Sequence, residues 1–256
     1  MIVQVYEIQT PWEAEICIGL GVNHIGSVIL DPEAWRKPEL RETIRQTAGT
    51  PVKSSMIPLF QDRKILYQAL DYYRPDLVHF CNDLTGVSPK HPDPTQFASH
   101  MQADCRRRFP EIGIIRTVPV PAKGIEPGFS PLEMARDLGS VSDFFLLDTW
   151  SGMEPVSGYI GITGILADWG MARAVVHQSP IPVILAGGLS PENVYNALMI
   201  VAPAGADSCT LTNRVDAEGR PVRFVKDFHK VAAFVREVRR AEKAHGEKIF
   251  QAYGAP

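Results

Sequence analysis

The chain is short of cysteine, of charge of one sign and of long apolar runs, and each shortage removes a class of protein. Its four cysteines, at positions 17, 81, 105 and 209 of 256, form no CxxC pair, so neither a zinc site nor a disulfide framework is indicated. His79, Cys81 and Asp148 lack the spacing of a ligand set, so the expectation is no metal and no cofactor. With 26 Lys and Arg against 29 Asp and Glu, the net charge of −3 offers no basic face for nucleic acid. The runs Arg106-Arg-Arg108 and Arg236 to Lys243 read as solvated surface. No apolar stretch reaches the roughly 18 residues of a membrane span, and Met1-Ile-Val-Gln-Val lacks the basic start and cleavage site of a secretory leader. A reducing cytoplasm is expected, with no nucleic-acid or membrane partner; a homo-oligomer stays open.

What the chain has is alternation. Short apolar runs fall at Val3–Ile8, His24–Ile29, Val52–Leu59, Leu77–Cys81, Ile112–Val120, Phe144–Asp148, Val183–Ala186 and Ala206–Thr212. Helical patterns separate them: Pro11–Leu20, Lys37–Thr47, Asp62–Tyr73, Pro94–Phe109, Leu132–Leu138, Ala167–Val176 and Pro191–Ile200. A last amphipathic helix covers Lys226–Lys243, with Phe228, Val231, Phe234, Val235 and Val238 on one stripe. Eight such units in 256 residues predict an α/β protein built as one (β/α)8 barrel over the whole chain, 1–256. An open doubly wound sheet would show a glycine fingerprint after its first strand. That turn here, Tyr6-Glu-Ile-Gln-Thr10, has no glycine. Two loops are long, 82–94 after the fourth strand and 149–164 after the sixth, both on the face where barrels build their sites.

Candidate chemistry gathers at the same face. Ala186-Gly-Gly-Leu-Ser-Pro-Glu-Asn-Val194 follows a buried strand, with Ser190 a favoured cap and Pro191 a favoured first helical residue. Glycines before a helix let backbone N–H groups approach an anion closely. Together, Gly161 and Gly164, the pair Gly187 and Gly188, and Thr210 predict one phosphate site, so a small phosphorylated substrate is the expected partner. Asp148, at the end of Phe144-Phe-Leu-Leu147, is a partly desolvated carboxyl suited to proton transfer.

These residues resemble the phosphoribosylanthranilate isomerases, (β/α)8 enzymes of tryptophan biosynthesis. Phe145-Leu-Leu-Asp148 is similar to the family's sixth strand with its acidic catalyst. Gly161-Ile-Thr-Gly-Ile-Leu-Ala-Asp-Trp169 resembles its GGTGxxFDW loop, and Ala186 to Val194 its AGGLxPENV phosphate loop. Gly205-Ala-Asp207 and Val225-Lys-Asp227 resemble the end of the barrel; Gly21-Val-Asn-His-Ile-Gly26 resembles GADAIG. The resemblance implies an Amadori rearrangement, in which a general acid opens the ribose ring and a general base removes the C2 proton. It implies Asp148 as the acid.

The departures are as informative. The family's base, the cysteine of KICG on the first strand, falls on Tyr6, with Gln4 for the lysine and Glu7 for the glycine. The arginine of SPR falls near Trp35-Arg36, so Arg36 is the candidate for the aglycone carboxylate only after a one-residue slip. SGVE reads Thr210-Leu-Thr-Asn213, and QLHG reads His79-Phe-Cys-Asn82. His79, whose imidazole titrates near neutrality, and Glu7 are both candidate replacement bases; the phenol of Tyr6 is a poorer one. The chain is therefore expected to be an isomerase-like barrel acting on a phosphorylated sugar, with a changed substrate as one form of that reading. The alternative is a barrel that binds a phosphate ligand, or serves as a scaffold, without catalysis.

Overall fold

The structure is a computed structural model that describes residues 1–86 and 92–253. The middle of the first long loop, 87–91, lies outside the described residues. The first half of the chain runs β1 (Ile2–Val5), α1 (Pro11–Gly19), β2 (His24–Ile29), α2 (Pro38–Arg45), β3 (Lys53–Pro58), α3 (Arg63–Tyr73), β4 (Leu77–Phe80) and α4 (Pro94–Arg108). The second half runs β5 (Gly113–Pro121), α5 (Pro131–Leu138), β6 (Phe144–Trp150), α6 (Trp169–Gln178), β7 (Val183–Leu185), α7 (Val194–Val201) and β8 (Gly205–Ser208). An antiparallel hairpin follows, β9 (Asn213–Val215) and β10 (Pro221–Lys226), and then α8 (Phe228–Tyr253). Strands β1 to β8 pair in chain order and close into a parallel barrel, β8 returning to β1 through Ile2↔Gly205 to Val5↔Ser208.

The local signals that start the helices are side-chain caps. Thr10 and Glu13 form a reciprocal capping box ahead of Pro11, and Asp62, Asp93, Ser130 and Asp168 each accept a backbone N–H at the head of α3, α4, α5 and α6. Each such cap is worth about 1 kcal/mol. Strand residues alternate between two cores. Val3, Val5, Phe145, Leu147 and Leu185 face the helix layer, while Tyr6, Val28, Ile57, Cys81, Leu146 and Ala186 fill the barrel. Among the described residues no helix is long and apolar enough to cross a membrane.

Three expectations are corrected. α7 begins at Val194 rather than at Pro191, because the Ser190 carbonyl accepts from both Asn193 and Val194 and folds 191–193 into a turn first. The eighth strand stops at Ser208; Thr210 to Thr212 form a single 3-10 turn, so Thr210 is not a strand residue. The segment 213–226, assigned no strand from sequence, is the β9–β10 hairpin.

Candidate active site

At the C-terminal end of the barrel two hollows open side by side. The smaller, about 300 Å³, is lined by Thr163, Gly164, Gly187, Gly188, Ser208 and Thr210 among others. Gly187 and Gly188 have φ of +79° and +61°, and a Cβ on Gly188 would lie 2.7 Å from the carbonyl carbon of Ile165. Only glycine lets the chain turn that tightly there. Among the described residues the N–H groups of Gly164, Gly187, Gly188 and Leu189 donate to no protein acceptor, which leaves a concave set of donors suited to an anion.

The larger hollow, about 520 Å³, is mostly apolar: Val28, Ile57, Leu59, Leu146, Tyr159, Ile160 and Ile162 supply its walls. The long loop after β6 forms one side. It is stitched to the end of β4 by Ile160 N–H to the Cys81 carbonyl at 2.8 Å and Asp83 N–H to the Gly158 carbonyl at 2.8 Å. Arg116 of β5, fully buried, anchors Asn82 from behind, donating to its Oδ1 at 2.7 Å and to its carbonyl.

Asp148 and Asp207 border both hollows. Burial, with Glu154 nearby, pushes the Asp148 carboxyl up to about 6, although its Oδ1 accepts the Thr149 N–H at 2.8 Å. Burial, with the charge of Asp148 beside it, pushes Asp207 up to about 8, and Oδ1 of Asp207 is buried without a hydrogen-bond partner. Two carboxyls whose environments separate them in this way can hold one proton between them near neutrality, one acting as acid and the other as base.

Comparison with known proteins gives this arrangement a family. A family model described as N-(5'-phosphoribosyl)anthranilate isomerase matches residues 109–237. N-(5'-Phosphoribosyl)anthranilate isomerase 2 of Methanosarcina mazei is 32% identical over 184 residues, 66% of this chain and 77% of that protein. The chain belongs to the phosphoribosylanthranilate isomerase family. Isomerase 1 of the same organism is 28% identical over 90% of this chain and 91% of that protein. Among solved structures, the isomerase of Thermus thermophilus superposes with a TM-score of 0.65 at 18% identity, over 94% of this chain and 99% of that one. An isomerase solved in complex with reduced 1-(o-carboxyphenylamino)-1-deoxyribulose 5-phosphate superposes at 0.60 with 20% identity, over 94% and 100%. The barrel is thus that of the phosphoribosylanthranilate isomerases.

Against that family pattern, the structure sorts the sequence candidates. Gly164, Gly187, Gly188 and Thr210 do meet in one hollow. Gly161 lines neither hollow; with φ of +103° it lies behind Asp148, where a Cβ would stand 2.2 Å from the carboxylate Oδ2. Arg36 is not brought to the mouth at all. Its guanidinium lies 5.0 Å from the ring centres of both Trp35 and Tyr72 on the outer layer.

The two candidate bases reach the apolar hollow but are engaged elsewhere. His79 Nδ1 pairs with the Tyr6 hydroxyl at 2.8 Å and Nε2 with Thr117 Oγ1 at 2.7 Å, and burial with Arg116 nearby lowers it to about 3. An imidazole held so far from protonation is a feeble proton acceptor. Glu7, at φ +64°, accepts from Asn213 Nδ2 at 2.8 Å, Arg223 Nε at 2.8 Å and Phe224 N at 3.0 Å. Those donors outweigh its burial and keep its carboxyl below the usual range, so Glu7 clasps the hairpin.

Tyr6, the residue expected at the family cysteine, is buried and lines the apolar hollow. Its hydroxyl lies 2.6 Å from Ser55 Oγ, burial raises it well above an ordinary phenol, and its ring packs against β2 where a Cβ on Gly26 would be 2.0 Å from Cδ1. Cys81 and Cys209 also border the apolar hollow, but burial raises both thiols, Cys81 to about 12. Asp207 and Arg223 are the residues sequence reasoning missed. The signals were a carboxyl at an inward position of a short buried strand, and the turn sequence Asp216-Ala-Glu-Gly219 between two stretches of alternating apolar residues.

Proposed function

We propose that the protein is a phosphoribosylanthranilate isomerase-type enzyme in which the Asp148–Asp207 pair replaces the cysteine–aspartate couple. The observation that carries this reading is the shared border: both carboxyls stand between a donor-lined hollow and an apolar one. The donor-lined hollow holds the substrate phosphate on Gly164, Gly187, Gly188 and Thr210. The apolar hollow takes the aromatic amine, and the sugar spans the carboxyls between them.

The chemistry needs one acid and one base. The acid gives its proton to the ring oxygen as the C1–O bond breaks, and the nitrogen lone pair completes a C1=N bond. The base then removes the C2 proton, whose electron pair forms C1=C2 and returns the iminium electrons to nitrogen. Tautomerisation of the resulting enol, with protonation at C1, yields the aminoketose. Near neutrality Asp207, the more strongly raised of the pair, serves as the acid and Asp148 as the base, the reverse of the acid role that the resemblance implies for Asp148. Tyr6 and His79 line the apolar hollow beside the pair, and His79 is held there by Tyr6 and Thr117.

Tyr6 at the family's cysteine position favours a second reading, a barrel that binds the phosphorylated ligand without turning it over. Complementation of a tryptophan auxotroph lacking its isomerase separates the two. Growth with the wild-type gene and none with Asp148→Asn supports the enzyme; no growth with a soluble, phosphate-binding wild-type protein overturns it.

A further inference from the structure

One amide inside the barrel is satisfied on one side only. Gln4 of β1 is fully buried, and because Val3 and Val5 face the helix layer, alternation turns Gln4 into the barrel. The strand registers set it beside His24 of β2 and beside Asp207 of β8. All three residues are buried. They form a short polar row across three neighbouring strands.

The row is closed at one end and open at the other. His24 Nδ1 lies 3.0 Å from Gln4 Oε1; a carbonyl oxygen only accepts, so Nδ1 carries the proton and donates it. Burial and the charge of Lys53 outweigh Asp76 and lower His24 to about 4, so near neutrality the ring is uncharged and keeps that tautomer. The carboxamide is thereby held with Oε1 towards β2 and Nε2 towards β8. Nε2 of Gln4 and Oδ1 of Asp207 are both buried without a hydrogen-bond partner. A donor and an acceptor thus stand open on register-paired residues, which is unfavourable until they meet. The amide already pulls the Asp207 carboxyl down against its burial.

The other neighbours of Asp207 are committed or uncharged. Lys226 Nζ donates to the Cys209 carbonyl at 2.6 Å and to Thr212 Oγ1 at 3.3 Å. The Tyr6 hydroxyl is bonded to Ser55 and His79, and burial raises the Cys209 thiol. Asp148 opposes ionisation of Asp207 instead of helping it, and Ile184 and Ala186 are apolar filling.

We propose that Gln4 is a positioning residue for the isomerisation, its Nε2 donating to Asp207 Oδ1 when that carboxyl gives up its proton. The inference rests on the reading given under Proposed function, in which Asp207 is the acid. As the Asp207 O–H bond breaks, the proton goes to the ring oxygen of the sugar and the electron pair stays on the carboxylate. A bare carboxylate in the barrel opposes that step, and a waiting amide N–H stabilises it. Because the amide is neutral, Asp207 still keeps its proton beforehand. His24 acts one step further away, by keeping Nε2 directed at β8.

The test is the pH dependence of kcat with N-(5'-phosphoribosyl)anthranilate for wild type, Gln4→Met, Gln4→Lys and His24→Leu, each checked for folding by urea titration. Gln4→Met keeps the length of the side chain and loses the donor. Its alkaline limb, near 8 in wild type, is expected to rise by about one to two pH units, the equivalent of a 10- to 150-fold hydrogen bond to a charged group. Near neutrality kcat falls roughly 3- to 10-fold, because the proton is only partly transferred in the transition state, while KM stays within a few-fold. Gln4→Lys moves the limb downward by setting a cation beside the carboxyl. His24→Leu leaves the donor but frees its direction, so the limb rises by less; this variant carries the test if Gln4→Met does not fold. A limb unmoved in Gln4→Met, or in His24→Leu where that variant stands in for it, makes the amide purely structural and overturns the inference with the isomerase reading intact. An upward shift in Gln4→Lys also overturns it. A wild type without an alkaline limb, or without turnover, overturns both.

Discussion

Replacing Asp148 by Asn and following the rate across pH probes the proposed acid–base pair. With Asp148 pushed up to about 6 and Asp207 to about 8, the working form has Asp148 ionised and Asp207 protonated. Activity then rises with pH as Asp148 loses its proton near 6 and falls as Asp207 loses its own near 8. The working form is therefore most populated between the two values, near neutrality, and declines on either side. Asp148→Asn removes one proton-transfer group and lowers kcat by about 10²- to 10⁴-fold. It also removes the negative charge that helps hold the Asp207 proton, so the alkaline limb of any residual activity moves below 8. The assay is continuous fluorescence of N-(5'-phosphoribosyl)anthranilate turnover, with phosphate affinity measured in parallel by calorimetry and expected to stay within a few-fold. A profile that only falls above pH 6 would mean that Asp148 acts alone as an acid. One that climbs without limit through pH 9 would point to a thiol or phenol base. Either refutes the pair.

Other expectations are independent of that profile. Gly161→Ala forces a Cβ to within 2.2 Å of the Asp148 carboxylate at φ +103°; kcat should drop at least tenfold, and stability by about 1–3 kcal/mol, with phosphate affinity unchanged in calorimetry. Tyr6→Phe strips the partner from Ser55 Oγ and His79 Nδ1, lowering unfolding free energy by about 1–3 kcal/mol in urea titrations while kcat holds within a few-fold; a hundredfold loss would make the phenol catalytic. Asp207→Asn should stabilise the fold at pH 8. The folded-state value of Asp207, about 8, lies above its ordinary 3.8, so the stability linked to its proton is full at low pH and is lost as pH rises from about 4 through 8. The variant's advantage in melting temperature should therefore grow with pH over that window and vanish near pH 4.

The barrel was legible because its strands are buried on both faces and read as apolar runs, and because caps such as Thr10, Asp62 and Asp168 mark helix starts locally. The donor-lined hollow was legible for a related reason: Gly187 and Gly188 are needed by the backbone itself, so the residue types declare the geometry. Side-chain destinations were not written so directly. Arg36 and Arg223 are both arginines in polar segments, and only the fold shows that one lies on Trp35 and Tyr72 while the other reaches the apolar slot. His79 reads as a base by its usual titration near neutrality, yet burial and two hydrogen bonds withdraw it. Glu7 fails as a base for the opposite reason, an excess of donors. Asp207 was passed over because the expected eighth strand, Ala206–Thr212, directed attention to Thr210; the strand stops at Ser208, and Asp207 points inward to border both hollows with Asp148.

The central claim is that this barrel turns over a phosphoribosyl amine through two aspartates and without the family's cysteine. Its most direct test is a side-by-side turnover assay with N-(5'-phosphoribosyl)anthranilate at pH 7, using wild type, Asp148→Asn, Asp207→Asn and a variant lacking all four cysteines, Cys17, Cys81, Cys105 and Cys209. Turnover by wild type and the cysteine-free protein, with loss of about 10²-fold or more in each aspartate variant, is the result expected. Turnover that survives Asp207→Asn or disappears with the cysteines contradicts it.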